Sequence, residues 1–293
     1  MKKQVIYWVL GLALACLGVS GTTTARAATT ASTDATVNIG GVTVKREFLN
    51  INTYYRAQSA VKAEVTYYKV AKADSQYTKT ITLPKGTVVA GDFIPKHHLA
   101  NGKWGLELAV ENSQLNYNLT KSGLKKGYLA SGIVSYATSS FKKVKAPAYM
   151  PTYSSGDLYL GGAKATKQRD DQVKQIVRIT TNGYVELMHR NTKATSDDAF
   201  AGKPFSQAKI SKTQVKGATR YLYLNAKMTG LKTTKVGKKG AYQYRLAVKN
   251  LHQPVNLSYY DEDRGEVYNF DSLYAIGGVT YYTPICFGSD IED

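Results

Sequence analysis

Apolar and polar residues alternate along most of this chain. The runs EVTYYKV (64–70), TKTITL (78–83), TVVAGDF (87–93), WGLELAV (104–110), YLASGIVSY (128–136), KQIVRI (174–179), YVELMH (184–189), RYLYLNAKM (220–228), YQYRLAV (242–248) and VTYYTPICF (279–287) all carry a period of two. A strand turns successive side chains to opposite faces, so this pattern predicts strands with one buried face. Val, Ile, Thr and Tyr dominate the runs, and Gly, Asn, Lys and Asp punctuate them. Val37, Ile39, Val42 and Val44 surround Gly40-Gly41 as in a strand pair or a bulged strand. Thr181-Asn182-Gly183 lies between two runs and predicts a hairpin, because its central positions tolerate positive φ. Helical signals are few: Ser196-Asp197-Asp198 can cap a turn through Ala199 and Phe200, and residues 206–212 are a second candidate.

The expected fold is therefore mostly β, with two small antiparallel β-barrel or β-sandwich domains. Residues 142–156 divide them, since Lys142, Lys143 and Lys145 meet Pro147 and Pro151, which cannot donate to a ladder. The first domain then covers 37–141 and the second 157–293. A repeated phrase agrees with this division. Reading 102–137 over 240–275 without a gap matches ten of 36 positions: Gly102, Leu108, Ala109, Val110, Asn112, Asn118, Leu119, Gly127, Tyr136 and Ala137 recur 138 residues later. Self-similarity of this kind predicts an internal duplication. Asn118 and Asn256 both open glycosylation sequons by pattern, but Asx-type turns are the reading preferred for both.

The N-terminus changes the setting. Lys2 and Lys3, an apolar run from Val5 to Val19 and Ala25-Arg26-Ala27 together read as a secretory signal peptide, residues 1–27, followed by a flexible leader, 28–36. The run falls short of the roughly 18 residues a membrane span needs, and no later stretch is as long. Cys16 sits in a loose lipobox, but the apolar run continues past it and the later cleavage site is better. Loss of Cys16 leaves Cys286 alone, so stability has to come from packing rather than from an internal disulfide. The net charge of +18 becomes +15 without residues 1–27, which hold Lys2, Lys3, Arg26 and no acid. An exported protein with a pI near 9.6 is attracted to polyanions. Such avoidance of cysteine resembles exported proteins of Gram-positive bacteria more than those of animal cells, and outside a Gram-positive cell the abundant polyanions are teichoic acids and the wall. Nucleic acid is disfavoured because export separates the protein from it.

The chain carries no recognised catalytic signature. His97, His98, His189 and His252 form no HExxH, and no cluster with metal-ligand spacing exists, so no metal or cofactor is expected. Cys286 could act as a nucleophile with His189 or His252 as base, but between Ile285 and Phe287 it reads as a packed apolar residue. Asp261, Glu262, Asp263 and Glu266 read as a solvated turn rather than an acid/base pair or a Ca²⁺ loop. Leu83-Pro84-Lys85-Gly86-Thr87 resembles a sortase signal with its last two residues exchanged, but its mid-chain place makes it a strand–turn–strand. What remains is aromatic and basic, including the pairs Tyr54-Tyr55, Tyr67-Tyr68, Tyr259-Tyr260 and Tyr281-Tyr282. Each pair should send one ring to a core and the other to solvent or a neighbouring sheet.

TKTITLPKGTVVAGDF, ANGKWGLELAV and LKKGYLASGIVSY together resemble the SH3-like and surface-layer (SLAP-type) wall-associated domains of lactobacilli and related Gram-positive bacteria. The likeness covers roughly residues 76–136, with a looser echo at 215–285. It implies a secreted, non-enzymatic β module held at the cell surface by basic residues on an anionic wall polymer of the teichoic acid type, or another glycan. By position it implies ligand contacts from Lys85, Lys103, Trp104, Lys125, Lys126 and Tyr128, and from Tyr242 and Tyr244 in the second unit. A wall hydrolase or transpeptidase and an adhesin for a host glycoprotein are the competing functions.

Overall fold

The computed structural model describes residues 35–291, except 70–71, 99–103, 112–113, 168–172, 193–198, 239 and 241; the side chains of 72–74, 96–98 and 104 are also outside the description. The expected signal peptide and nearly all of the leader lie outside the described residues. The described chain is mostly antiparallel β, as its alternation predicts.

A hairpin opens it. Strands β1 (Thr36–Ile39) and β2 (Val42–Lys45) are joined by Gly40-Gly41, at φ 60° and 94°, a turn that L side chains adopt only under strain. The Asn38 carboxamide accepts from the Gly41 N–H at 3.0 Å. Next come β3 (Tyr54–Ala57), β4 (Val61–Lys69), β5 (Lys72–Leu83), β6 (Val88–His98), β7 (Trp104–Val110), β8 (Tyr128–Ser135) and β9 (Phe141–Val144). They form a seven-stranded sheet in the order β5-β4-β8-β7-β6-β3-β9. Pro84 to Thr87 make the β5–β6 turn, with Thr87 N–H donating to the Pro84 carbonyl. A short helix, α1 (Tyr117–Thr120), lies between β7 and β8, its first turn capped by the Asn116 carboxamide. Val65, Tyr67, Leu83, Val89, Leu108 and Ile133 build the core of this sheet.

The rest of the chain supplies β10 (Asp157–Leu160), helix α2 (Ala163–Thr166), β11 (Gln175–Ile179), β12 (Tyr184–His189), β13 (Ser206–Lys216), β14 (Thr219–Leu224), β15 (Thr234–Lys235), β16 (Tyr244–Asn256), β17 (Tyr259–Asp261), β18 (Gly265–Ile276) and β19 (Val279–Ser289). β15 and β17 are short edges. The other eight strands pair antiparallel in chain order, and because β18 also pairs with β16 while β10 pairs with β19, the ladder closes on itself. Eight strands leave an interior that side chains can fill. Leu158, Val177, Ile179, Val185, Leu187, Leu222, Leu224, Leu246, Val248, Tyr274 and Ile276 fill it here.

Several local expectations resolve. The hairpin at Thr181-Asn182-Gly183 joins β11 to β12, with Gly183 N–H donating to the Thr180 carbonyl. Residues 206–212 are strand, not helix: Ala208 and Ile210 are buried in alternation with Gln207 and Lys209, and the Ser206 hydroxyl accepts from the Thr229 N–H instead of capping its own turn. Asn256 does make an Asx turn to the Ser258 N–H, whereas Asn118 lies inside α1 and Asn116 is the cap.

The two halves share packing. Tyr54, Val88 and Ala90 of the first sheet enter the same core as Met150 and the inward residues of β10–β18. The β1–β2 hairpin packs Ile39 and Val44 against Phe270, Ile285 and Cys286 of β18 and β19, and Leu49 bridges to Cys286. The repeated phrase falls on β7–β8 and β16–β18, and Gly127 and Gly265 both have positive φ. Registers differ: Val110 faces Ile133, whose counterpart is Asp271, while Val248 faces Ile276.

Candidate functional site

Aromatic and basic side chains gather at two places. At one end of the first sheet, Tyr67 stacks on Tyr77 at 5.1 Å and Tyr77 meets Tyr128 edge-on at 5.0 Å. Antiparallel pairing sets this up, since Tyr67 and Tyr77 lie directly opposite each other. Their hydroxyls are engaged: Tyr67 donates to the Thr120 carbonyl at 2.6 Å, Tyr77 to the Gly123 carbonyl at 2.8 Å, and Tyr128 pairs with the Ser75 hydroxyl at 3.1 Å. The Lys125 ammonium stands 4.3 Å from the centre of the Tyr77 ring, and the Lys125 backbone N–H donates to the Tyr77 hydroxyl oxygen at 2.9 Å. The structure thus brings Lys125 and Tyr128 together around Tyr77, with Lys126 exposed beside them. Lys85 is exposed on the β5–β6 turn, beyond the far end of β5 and about 20 Å or more from Tyr77 along the strand. Lys103 lies outside the described residues; Trp104 opens β7 opposite His98, and its side chain lies outside them too.

The second place is the outer face of β13, β14 and β16. Inward Leu222, Leu224, Leu246 and Val248 force Tyr221, Tyr223, Arg245 and Lys249 outward by strand alternation. The Arg245 guanidinium lies 4.9 Å from the Tyr221 ring and the Lys212 ammonium 5.6 Å from the Tyr223 ring, both within cation–π range. Tyr223 donates to the Gln214 carboxamide oxygen at 3.2 Å. Of the two tyrosines expected here, exposed Tyr242 meets Tyr223 edge-on at 6.5 Å, while Tyr244 is half-buried against the barrel core.

Tyr221, Tyr223, Lys212 and Arg245 were not among the residues expected to bind. The signal for them is negative: residues 199–260 hold twelve Lys and Arg and no Asp or Glu. Motif reading passes over an absence, yet it decides where the positive charge sits. Ion pairs among the described residues join Lys45 to Glu47 and Asp290, and Arg178 to Asp157; none touches this segment.

The groups considered for catalysis are placed otherwise. Cys286 is buried beside Phe270 and Ile285, and burial pushes its thiol up to about 11. His189 stacks on Phe205 at 4.4 Å. Asp261 accepts from the N–H groups of Asp263 and Arg264, closing the exposed β17–β18 turn. No group of three His, Cys, Asp or Glu suited to a metal occurs among the described residues.

A polar row crosses the outer side of β10–β13, where Asp157, Arg178, Glu186 and Gln207 face one another in register. Arg178 grips Asp157 through two bonds, at 2.6 and 2.8 Å. Glu186 is buried beneath residues 114–120 and accepts the Tyr117 N–H at 2.8 Å. Burial pushes its carboxyl up to about 7, against the opposing pull of that N–H and of Arg178. The covering segment is fastened by Asn116 N–H to the Asn182 carboxamide and by Thr181 N–H to the Gln114 carbonyl. Covered by residues 114–120 and bonded to them through the Tyr117 N–H, this row holds the first sheet to the barrel.

Comparison with protein-family models, curated proteins and solved structures finds no match for this chain.

Proposed function

We propose that this protein is exported and non-enzymatic, and that it associates with an anionic cell-wall polymer of the teichoic acid type through basic, tyrosine-bearing β surfaces. The observation that carries the reading is the acid-free segment 199–260, whose outward cations stand over tyrosine rings on an open sheet face. Uncompensated surface charge of one sign attracts a polymer of the other, and exposed aromatic faces add contact that charge alone does not supply. The Lys125–Tyr77–Tyr128 cluster offers the same chemistry on the first sheet. The resemblance of residues 76–136 to SH3-like and SLAP-type wall domains points the same way, as does the reading of residues 1–27 as a signal peptide. No helix among the described residues is long and apolar enough to cross a membrane.

Duplication belongs to the same proposal. It is supported by the ten identities and by the shared positive φ at Gly127 and Gly265, and it requires the two ladders to have shifted register since the copies separated.

The test is a pull-down of the mature chain by isolated Gram-positive walls, with and without teichoic acid, across a salt series. Wall binding that falls with added salt and with removal of the polymer is expected. Binding that survives stripping points to the adhesin alternative, and absence of binding to either wall ends the proposal.

A further inference from the structure

Ladder register lays out the β13–β14–β16 face as a grid. Lys212, Tyr223 and Arg245 form one row and Lys216, Thr219 and Lys249 another, with Tyr221 midway between them. Opposed residues share a face, so four cations mark the corners of a rectangle about 13 Å along the strands and about 10 Å across them. The rings of Tyr221 and Tyr223 run down its middle. Each is steered by a cation, Arg245 at 4.9 Å and Lys212 at 5.6 Å. No carboxylate interrupts the pattern in sequence, and none of the four cations takes part in an ion pair among the described residues.

The two components recognise different chemistry. Corner cations are satisfied by any polyanion. Half-exposed tyrosine rings offer flat apolar faces to the C–H face of a sugar ring, which a bare phosphate chain does not have. A neutral glycan would leave the cations without a partner. Building on the wall-binding reading, we propose that this face binds a sugar-bearing polyanion lying along β14, its sugar rings on Tyr221 and Tyr223 and its anionic groups against Lys212, Lys216, Arg245 and Lys249. Single-stranded nucleic acid also combines planar rings with phosphates and is the competing ligand class.

Binding of the mature chain is measured to dextran sulfate, dextran, inorganic polyphosphate and an oligothymidylate at one ionic strength. Dextran sulfate is expected to bind roughly tenfold tighter than polyphosphate of equal charge, with dextran not retained. The double variant Tyr221→Leu/Tyr223→Leu loses that preference while keeping polyphosphate binding. Lys212→Gln/Lys249→Gln, at exposed positions that leave the fold intact, weakens both polyanions by roughly tenfold. Equal binding of dextran sulfate and polyphosphate, a tyrosine variant indistinguishable from the parent, or tighter binding of the oligothymidylate overturns the proposal. The wall pull-down separates the two levels. If walls retain the lysine variant as well as the parent, the wall reading stands and this face is not its site; if walls retain neither, both fall.

Discussion

Glu186→Gln probes the seam between the first sheet and the barrel through its pH dependence. The carboxyl lies on the barrel's outer side under Tyr117, in a row with Arg178 and Gln207. Its folded pKa is about 7, against an ordinary 4.5, so the folded protein holds the proton more tightly than the unfolded chain. Stability from this group is complete below about pH 4.5, declines as pH rises toward 7, and stays at its lower value above that. The gap amounts to about 3 kcal/mol. Gln has the same shape, keeps an acceptor for the Tyr117 N–H and carries no charge, so the variant should lack this decline. Urea denaturation from pH 4.5 to 8.5, followed by aromatic fluorescence, gives both curves, and subtracting them cancels the other carboxylates. We expect near-equal stability at pH 4.5 and a variant more stable by about 1–3 kcal/mol at pH 8, the lower bound allowing for lost attraction to Arg178. A variant less stable at pH 8, with the slope of the parent, would show that Glu186 is ionised and held by Arg178, and would refute the argument.

Leu222→Ala empties a fully buried position inside the barrel and should cost about 2–5 kcal/mol in urea denaturation. Arg178→Ala leaves the Asp157 carboxylate without its two-bonded partner in a mostly buried site, and a loss of about 3–5 kcal/mol is expected by the same measurement. Cys286 should react with a thiol reagent at pH 8 only after denaturant is added, because its thiol is buried and titrates near 11; stoichiometric labelling of the native chain would contradict that packing.

Alternation located most of the strands because each buries one face, but it could not say which core received that face. Tyr54 and Tyr55 show the difference: they face opposite ways as adjacent strand residues must, yet Tyr54 enters the barrel core and Tyr55 the core of the first sheet. Tyr281 and Tyr282 divide likewise, one into the barrel interior and one against Val173 and Ile176 outside it. Tyr259 and Tyr260 are both exposed, because β17 is a three-residue edge with no layer over it among the described residues. The pairing of β16 with β18 and of β10 with β19 was not legible, since closure depends on contacts between residues far apart in the chain. The first-sheet site was half legible: Lys125 and Tyr128 were identified from a local likeness, but Tyr77 reaches them only through the β4–β5 ladder and the turn at Gly123.

Closure of the barrel narrows where a ligand can meet its surface. Its interior is filled by Leu, Val, Ile and Tyr side chains. The outer side of β10–β12 is covered by residues 114–120 and by the α2 region, which packs Ala165 there, and the β1–β2 hairpin sits on β18 and β19. Among the described residues the β13–β14–β16 sector keeps Lys212, Lys216 and Lys249 exposed, and its strands come from the stretch of sequence without acids. Two acids elsewhere serve internal needs, Asp157 for Arg178 and Asp261 for its turn. An acid on the open face would pair with a neighbouring Lys and cancel the attraction that the surrounding cations provide. Tyr221→Glu therefore tests the composition itself: placed between Gln214 and Ala247, a carboxylate should weaken dextran sulfate binding more than Tyr221→Leu does, with the excess shrinking as salt is raised. Equal loss in the two variants at every salt concentration would mean that the missing acids have no part in binding.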